Sequence, residues 1–391
     1  MRKWIQLAEL PFYTQRMTAE NWQAEGFPSL AEAENWSGRG CGIASLRMVL
    51  EGFGCACGGQ GKMISKGLAA GAYKEGVGWI HGKLAEMAGN YGVFGEAKRG
   101  KALADLQKDL EKGFVCIVSV TPYFRFGQQK PDGSFYGKGG HLVPVYGCET
   151  EGGKAVAFLL HHPSMYAEYN VPHWAVGAEE FEPSFSGNYI RFRKAGTLRQ
   201  AATADALVMS RIYAESWKVA FRGDVPDGFL DGLSEDHWVT FFEKALTEGS
   251  LSAKLIFDKE TAVGAVAYGA ARTELPVGGT FVSSGGDYSA FGEVASLYLL
   301  PEYYDKGYGR ELLENVRGEL LENYEGVYLW VLRENMRARA FYEKLGFVPT
   351  EDACLCEIDG KTLTDIRYVY HKLKTTKKIL FLKELIFACS N

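Results

Sequence analysis

The sequence predicts an α+β protein of two domains. Three observations carry this: 391 residues exceed what one hydrophobic core usually organises, strand-like runs mix with stretches of helical periodicity, and the composition changes near residues 190–200. A prior of roughly 150 residues per domain agrees with two. The expected division is 1–195, then 196–374, with 375–391 as a C-terminal amphipathic helix or tail in which Ile379, Leu382 and Ile386 share a face.

The chain is 47% hydrophobic, 13% aromatic and 23% charged, which excludes wholesale disorder. A net charge of −5 gives no global attraction to nucleic acid or to an anionic membrane, so neither is an expected partner. The eight cysteines follow no disulfide framework, and the pairs Cys55/Cys57 and Cys354/Cys356 lack the two-residue gap of a zinc knuckle; no metal is expected. The segment MRKWIQLAELPFYTQ has no uninterrupted apolar run, and no stretch reaches the roughly 18 apolar residues of a membrane span, so a cytoplasmic location is expected.

In the first half, within "GRGCGIASLRMVL" (38–50), Cys41 is followed by apolar Ile43, Leu46, Val49, Leu50 and then Phe53 at helical steps, which puts it at a helix start. Unpaired backbone N–H groups there favour a thiolate, and the flanking glycines would let a substrate carbonyl approach. A small apolar residue opening a helix is the competing reading. Strand-like runs follow at 114–120, 141–149 and 155–162. His141, opening the second of them, is a candidate base for the thiol, and His161 and His162, ending the third before Pro163, are candidates to orient it.

"LPFYTQR", "GRGCGIASLRMVL" and "GGHLVPVYG" resemble the Gln, Cys and His blocks of papain-like cysteine peptidases of the bacteriocin-leader-processing type, over roughly residues 5–190. The resemblance implies a papain-like fold with Gln15 in the oxyanion hole, Cys41 as nucleophile and His141 as proton shuttle. It departs at the residue before Pro163, where that family carries Asp or Asn and this chain carries His162. A neutral imidazole cannot stabilise an imidazolium as a carboxylate does; the expectation is a peptidase-like Cys/His thiol-hydrolase site, with an acyl-transferring site or a degenerate substrate-binding module as the alternatives. Asn170 is near enough in sequence to stand in for the missing group.

In the second half, "GTLRQAATADALVMSRIYAESW" reads as a strand, an Asp-containing turn and a helix bearing Ala206, Met209, Ile212 and Tyr213. "GEVASLYLLPEYYDKGYGRELLENVRGEL" (292–320) alternates through a strand, stops at Pro301, passes through "DKGYG" and enters a helix with Leu312, Leu313 and Val316. Such a strand, glycine loop and helix start form an anion site. "VYLWVLRENMRARAFYEKLGFVPT" (327–350) adds a strand ending near Asn335, a helix, and Gly346 as its stop.

These blocks resemble the GNAT superfamily of acetyl-CoA-dependent N-acyltransferases over roughly 197–373, which implies a mixed central sheet flanked by helices, acetyl-CoA as cosubstrate and a small-molecule amine or peptide as acceptor. By that resemblance Leu299, Lys306, Gly307, Tyr308, Gly309 and Arg310 hold the cofactor with Asn335. Tyr342 protonates the departing thiolate, and Glu293 is the base or, alternatively, a solvent-facing strand residue. Tyr304 stands where the family usually has Gln or Arg.

Overall fold

The fold comes from a computed structural model that describes residues 2–7, 9–121, 140–272, 280–282 and 286–372. The expected tail at 375–391, Cys389 included, lies outside the described residues. The chain divides into two compact units, residues 1–195 and 196–391.

The first unit runs β1 (Arg2–Gln6), α1 (Leu30–Ser37), α2 (Cys41–Gly52), α3 (Gln60–Ala69), the short ribbon β2 (Tyr73–Lys74) and β3 (Gly78–Trp79), α4 (His81–Gly89), β4 (Val93–Lys98), α5 (Leu103–Glu111), β5 (Val115–Val120), β6 (His141–Glu151), β7 (Lys154–His162), β8 (Val171–Gly177), α6 (Ala178–Phe181) and β9 (Phe185–Lys194). Its sheet is antiparallel throughout, in the order β4-β9-β5-β6-β7-β8. β6 is long enough that one of its edges carries β5 along 141–145 and β1 along 147–151. Alternation sends the two faces of β5 into separate cores: Val115 and Ile117 pack under the first helices, whereas Cys116, Val118 and Val120 pack with Leu106 and Leu110 of α5. Arg191 is buried between Glu96 and Asp109, at 2.6 Å from each, and Tyr189 donates to Asp109 at 2.7 Å. A buried charge needs such complete pairing.

The second unit runs β10 (Thr197–Gln200), α7 (Ala206–Ala220), α8 (Asp227–Asp231), α9 (Val239–Glu248), β11 (Ser252–Asp258), β12 (Thr261–Ala270), β13 (Thr280–Val282), β14 (Gly292–Leu299), α10 (Tyr308–Asn323), β15 (Gly326–Leu332), α11 (Met336–Lys344), β16 (Val348–Ile358) and β17 (Lys361–His371). The sheet order is β10-β11-β12-β14-β15-β17-β16-β13. Among the described residues of this sheet, only the β14–β15 pair is parallel. That pair is joined at Gly292↔Val327, Glu293↔Tyr328 and Val294↔Leu329 and no further. Where the pairing stops, β14 bulges: Ala267 opposes Ser296 and Tyr268 opposes Val294, leaving Ala295 extra. The far ends of β14 and β15 therefore part. One face of the sheet packs on α10 and α11 through Leu312, Leu313, Val316 and Tyr342; α7 and α9 cover the other through Met209, Ile212, Tyr213 and Phe242.

Among the described residues no helix is long and apolar enough to cross a membrane, and the seven cysteines there are free thiols.

Candidate active sites

In the first unit α2 begins at Cys41 with Gly40 as its cap residue and no side-chain cap. Ser45 of α2 donates to the Leu142 carbonyl at 3.0 Å, and the Leu142 backbone N–H approaches the Cys41 sulfur. These two contacts bring the start of β6, and so His141, to the helix start. Gln15 lies beside Gly40 and donates to the Ser37 carbonyl at 2.7 Å. Its Oε1 is buried with no hydrogen-bond partner among the described residues.

The electrostatics differ from the expected activated thiol. Burial pushes the Cys41 thiol up to about 11, although backbone N–H groups of Leu142, Gly42 and Cys41 itself favour the anion. Burial, reinforced by His162, pulls the His141 imidazole down to about 3 against the opposing pull of the Pro163 carbonyl. Thiol and imidazole are thus both neutral at ordinary pH. No hydrogen bond joins them, and His141 Nε2 has no hydrogen-bond partner among the described residues. The flanking glycines also serve a different purpose from the one expected. A Cβ on Gly42 would lie 2.6 Å from the Trp79 ring, and the Trp79 indole donates to the Arg39 carbonyl at 2.7 Å. Gly42 makes room for Trp79, a residue the local sequence does not advertise.

His162 stands with its ring centroid 5.0 Å from that of His141, edge to face. Its Nδ1 lies 2.7 Å from the Tyr169 carbonyl, which can only accept, so Nδ1 carries the proton. Asn170 does not replace the missing carboxylate: its amide donates to the Ser164 and Tyr166 carbonyls and accepts from the Ser164 N–H, closing the 164–170 turn. His161 is likewise engaged elsewhere, with its Nε2 3.0 Å from the Leu10 carbonyl and its Nδ1 accepting from the His173 N–H.

In the second unit α10 starts at Tyr308 behind Gly307, which adopts φ 90°. Glu311 donates to the Gly307 carbonyl, so the N–H groups of the first turn precede the helical ladder and face out of its start. Gly309 is tightly placed: an added Cβ would meet Leu299 at 3.3 Å and Phe341 at 3.5 Å. Around this loop Arg310 pairs with Glu314 at 2.9 Å, Lys306 lies over Tyr303 at 4.8 Å, and Arg337 bridges to Asp305 while stacking over Tyr304 at 4.1 Å. Leu299 packs into the core, and its carbonyl accepts from Ser216 of α7.

Asn335 caps α11, its Oδ1 accepting from the Ala338 N–H at 3.0 Å, which leaves its Nδ2 for a ligand. Tyr342 is buried, and burial alone pushes its phenol well above the usual range; no hydrogen bond ties its hydroxyl to the described residues. It nonetheless disfavours ionisation of Tyr213 and Tyr298, which belong to the opposite face of the sheet. Tyr213 and Ser296 hydroxyls lie 2.5 Å apart beside the gap between β14 and β15.

Glu293 is 1% exposed, and both carboxylate oxygens accept from Arg272, at 2.6 and 2.8 Å. It lies in the closed part of the β14–β15 pair, opposite Tyr328. The solvent-facing alternative is thereby removed, and both carboxylate oxygens are engaged by Arg272. Arg272 lies two residues past the end of β12, too distant in sequence from Glu293 for any local pattern to announce it. Among the described residues no group of His, Cys, Asp and Glu is placed to hold a metal ion.

Comparisons with known proteins concern the second unit. Residues 218–347 match the Acetyltransferase (GNAT) family. The uncharacterized N-acetyltransferase YuaI of Bacillus subtilis is 26% identical over 148 residues, 36% of this chain and 73% of its own length. Among solved structures, the PaiA N-acetyltransferase of Thermoplasma acidophilum, in complex with coenzyme A, is 18% identical with a TM-score of 0.33, over 46% of this chain and 99% of its own. The YncA protein of Salmonella typhimurium, solved with acetyl-CoA, is 18% identical with a TM-score of 0.34, over 46% of this chain and 96% of its own. From the family match and the YuaI relative, the second unit carries a GNAT acetyltransferase domain.

Proposed function

We propose that the second unit transfers an acetyl group from acetyl-CoA directly to an amine. One observation carries this reading: two parallel strands held by three residue pairs part beside a helix whose start has no side-chain cap. The first-turn N–H groups behind Gly307 would hold the pyrophosphate, aided by the helix dipole and by Lys306 and Arg310. Asn335 Nδ2 would reach the pantetheine arm. Acetyl-CoA supplies the activated thioester, so the chain needs no nucleophile of its own. Tyr342 of α11, buried in the core cluster shared with β14 and β15, is the proton source for the leaving sulfur, and its apolar setting keeps it protonated until a thiolate forms. The family match supports the reading, as do the coenzyme A and acetyl-CoA held by the Thermoplasma and Salmonella proteins. Calorimetry with acetyl-CoA, followed by free CoA release across a panel of amines, tests it; absence of binding by the intact chain would remove it.

For the first unit we propose a papain-like domain in which Gln15, Cys41 and His141 converge but which binds substrate rather than cleaving it. The supporting observation is electrostatic. Moving a proton from a thiol at about 11 to an imidazole at about 3 is steeply uphill, and His162 supplies no negative charge to help. Appearance of an acyl mass on Cys41 after incubation with peptide or acyl donors would sink this reading.

A further inference from the structure

Resting on the acetyltransferase reading, we propose that Asp365 receives and deprotonates the acceptor amine, and that the acceptor is a primary amine borne on an aromatic or similarly flat apolar group.

The placement follows from register. Asp365 of β17 pairs with Leu332, the last residue of β15, and with Cys354 of β16. It therefore sits where β15 ends and the gap beside β14 is open. Alternation puts it on the same face as Leu363, while Ile366 packs with the α10 and α11 side. Leu363 and Leu332 both belong to a cluster that includes Trp217, Phe221 and Phe229 from α7, α8 and the turn between them. Across the gap, Tyr298 of β14 is near enough for Asp365 to disfavour its phenolate.

The surroundings suit an ammonium on a flat group. Trp217 lies 4.8 Å from Phe221, 5.3 Å from Trp238 and 6.5 Å from Tyr298, centroid to centroid, and Tyr213 is 4.5 Å from Tyr298. Such π faces attract a cation and accept an aromatic ring. The Trp217 indole N–H lies close enough to the Tyr298 hydroxyl to favour its anion, so these two polar groups share one edge of the aromatic cluster. The titratable neighbours of Asp365 are Glu334 beyond β15, Cys354 and Cys356 of β16 and Tyr298 of β14, with His237 at the outer edge against Phe229 and Trp238. α7 and α8 contribute aromatic rings. Among the described residues no cation pairs with Asp365; burial, then Glu334, push its carboxyl up to about 6. A carboxylate that lacks a cation and resists losing its proton is equipped to take one from an ammonium, a contrast with Glu293, whose oxygens Arg272 already occupies.

The ammonium gives one proton to Asp365, and the freed lone pair forms the N–C bond to the acetyl carbon. As the C–S bond breaks, Tyr342 protonates the departing sulfur and recovers the second proton from nitrogen. Asp365 then loses its proton to water.

The experiment uses the intact chain with 2-phenylethylamine, ethanolamine and spermidine as acceptors, following CoA release from pH 5 to 9 with acetyl-CoA affinity measured separately. Wild-type kcat/KM for 2-phenylethylamine is expected to exceed that for ethanolamine and spermidine at least about tenfold. It should fall below pH of about 6 as Asp365 is protonated. Asp365→Asn lowers kcat/KM roughly 100-fold and abolishes that acid limb, with acetyl-CoA affinity unchanged; Asp365→Glu recovers part of the activity.

Stability should move the opposite way. Folding raises this carboxyl from 3.8 to about 6, so the penalty on its charge is absent below pH 3.8 and fully present above pH 6. At pH 8 Asp365→Asn should raise Tm by about 2–4 °C. Retained activity and acid limb in Asp365→Asn, a lowered Tm, or equal use of the three amines overturns the proposal, whereas wild-type protein that binds no acetyl-CoA removes the underlying reading instead.

Discussion

Two helix starts carry the same signature, glycine, one residue, glycine: Gly40-Cys41-Gly42 opens α2 and Gly307-Tyr308-Gly309 opens α10. Neither has a side-chain cap, so both present unpaired N–H groups and a positive dipole end. What surrounds them decides what those groups can do. At α2 the ring of Trp79 lies over the second glycine and Leu142 closes on the sulfur, and the desolvation of a thiolate outweighs the N–H groups that favour it. At α10 the first glycine takes a left-handed φ and the strand beside the loop pulls away from its neighbour. A helix start becomes a chemical site when space is left for what it attracts.

The sharpest way to break this comparison is to fill the second start. Gly307→Val with Gly309→Val imposes a strained φ and drives side chains against Leu299 and Phe341; at about 2 kcal/mol each, acetyl-CoA affinity by calorimetry should weaken roughly 1,000-fold. Unchanged affinity would show that α10 holds nothing. Tyr342→Phe should lower kcat about 100-fold while acetyl-CoA affinity stays put, because the phenol acts in the chemical step rather than in holding the cofactor.

At the first start, iodoacetamide at pH 7.5 followed by peptide mapping should show Cys41 reacting roughly 100-fold more slowly than an ordinary free thiol, since little of it is thiolate. Preferential labelling of Cys41 would reverse the contrast. Gly42→Ala should cost the first unit about 1–3 kcal/mol in a denaturant melt, the expense of pushing Trp79 aside. Smallest of all, Cys41→Ala should leave acetyl transfer within about twofold of wild type if the two sites act separately.

Much of this was legible in the chain. Alternation and punctuation placed β5, β6 and β7 to within a few residues, and "DKGYG" marked the start of α10. The alternation through 294–300 gave no hint of the Ala295 bulge, because a bulge is defined by the partner strand. The three-pair limit of β14–β15 is equally a matter of register between distant segments. Burial was the other blind spot. The local sequence around Cys41 and His141 shows nothing of the burial that moves both groups, because Leu142 and His162, which act on them, are brought there by the fold. Asp365 offered only a lone acid in a strand pattern, and its significance depends on what β15 stops short of covering.

The length of β6 has a consequence for how the chain is made. Cys41 is synthesised long before the strand that covers it, since His141 and Leu142 arrive about 100 residues later and β1 cannot dock until residue 151 has appeared. At ribosomal speeds of roughly 5–20 residues per second, the interval is on the order of 5–20 s. During that time the sulfur lacks the strand that buries it, and its thiol has the reactivity of an ordinary exposed cysteine. The nascent chain is therefore the form in which this sulfur is most open to oxidants and electrophiles, and closure of β6 is what retires it from that chemistry.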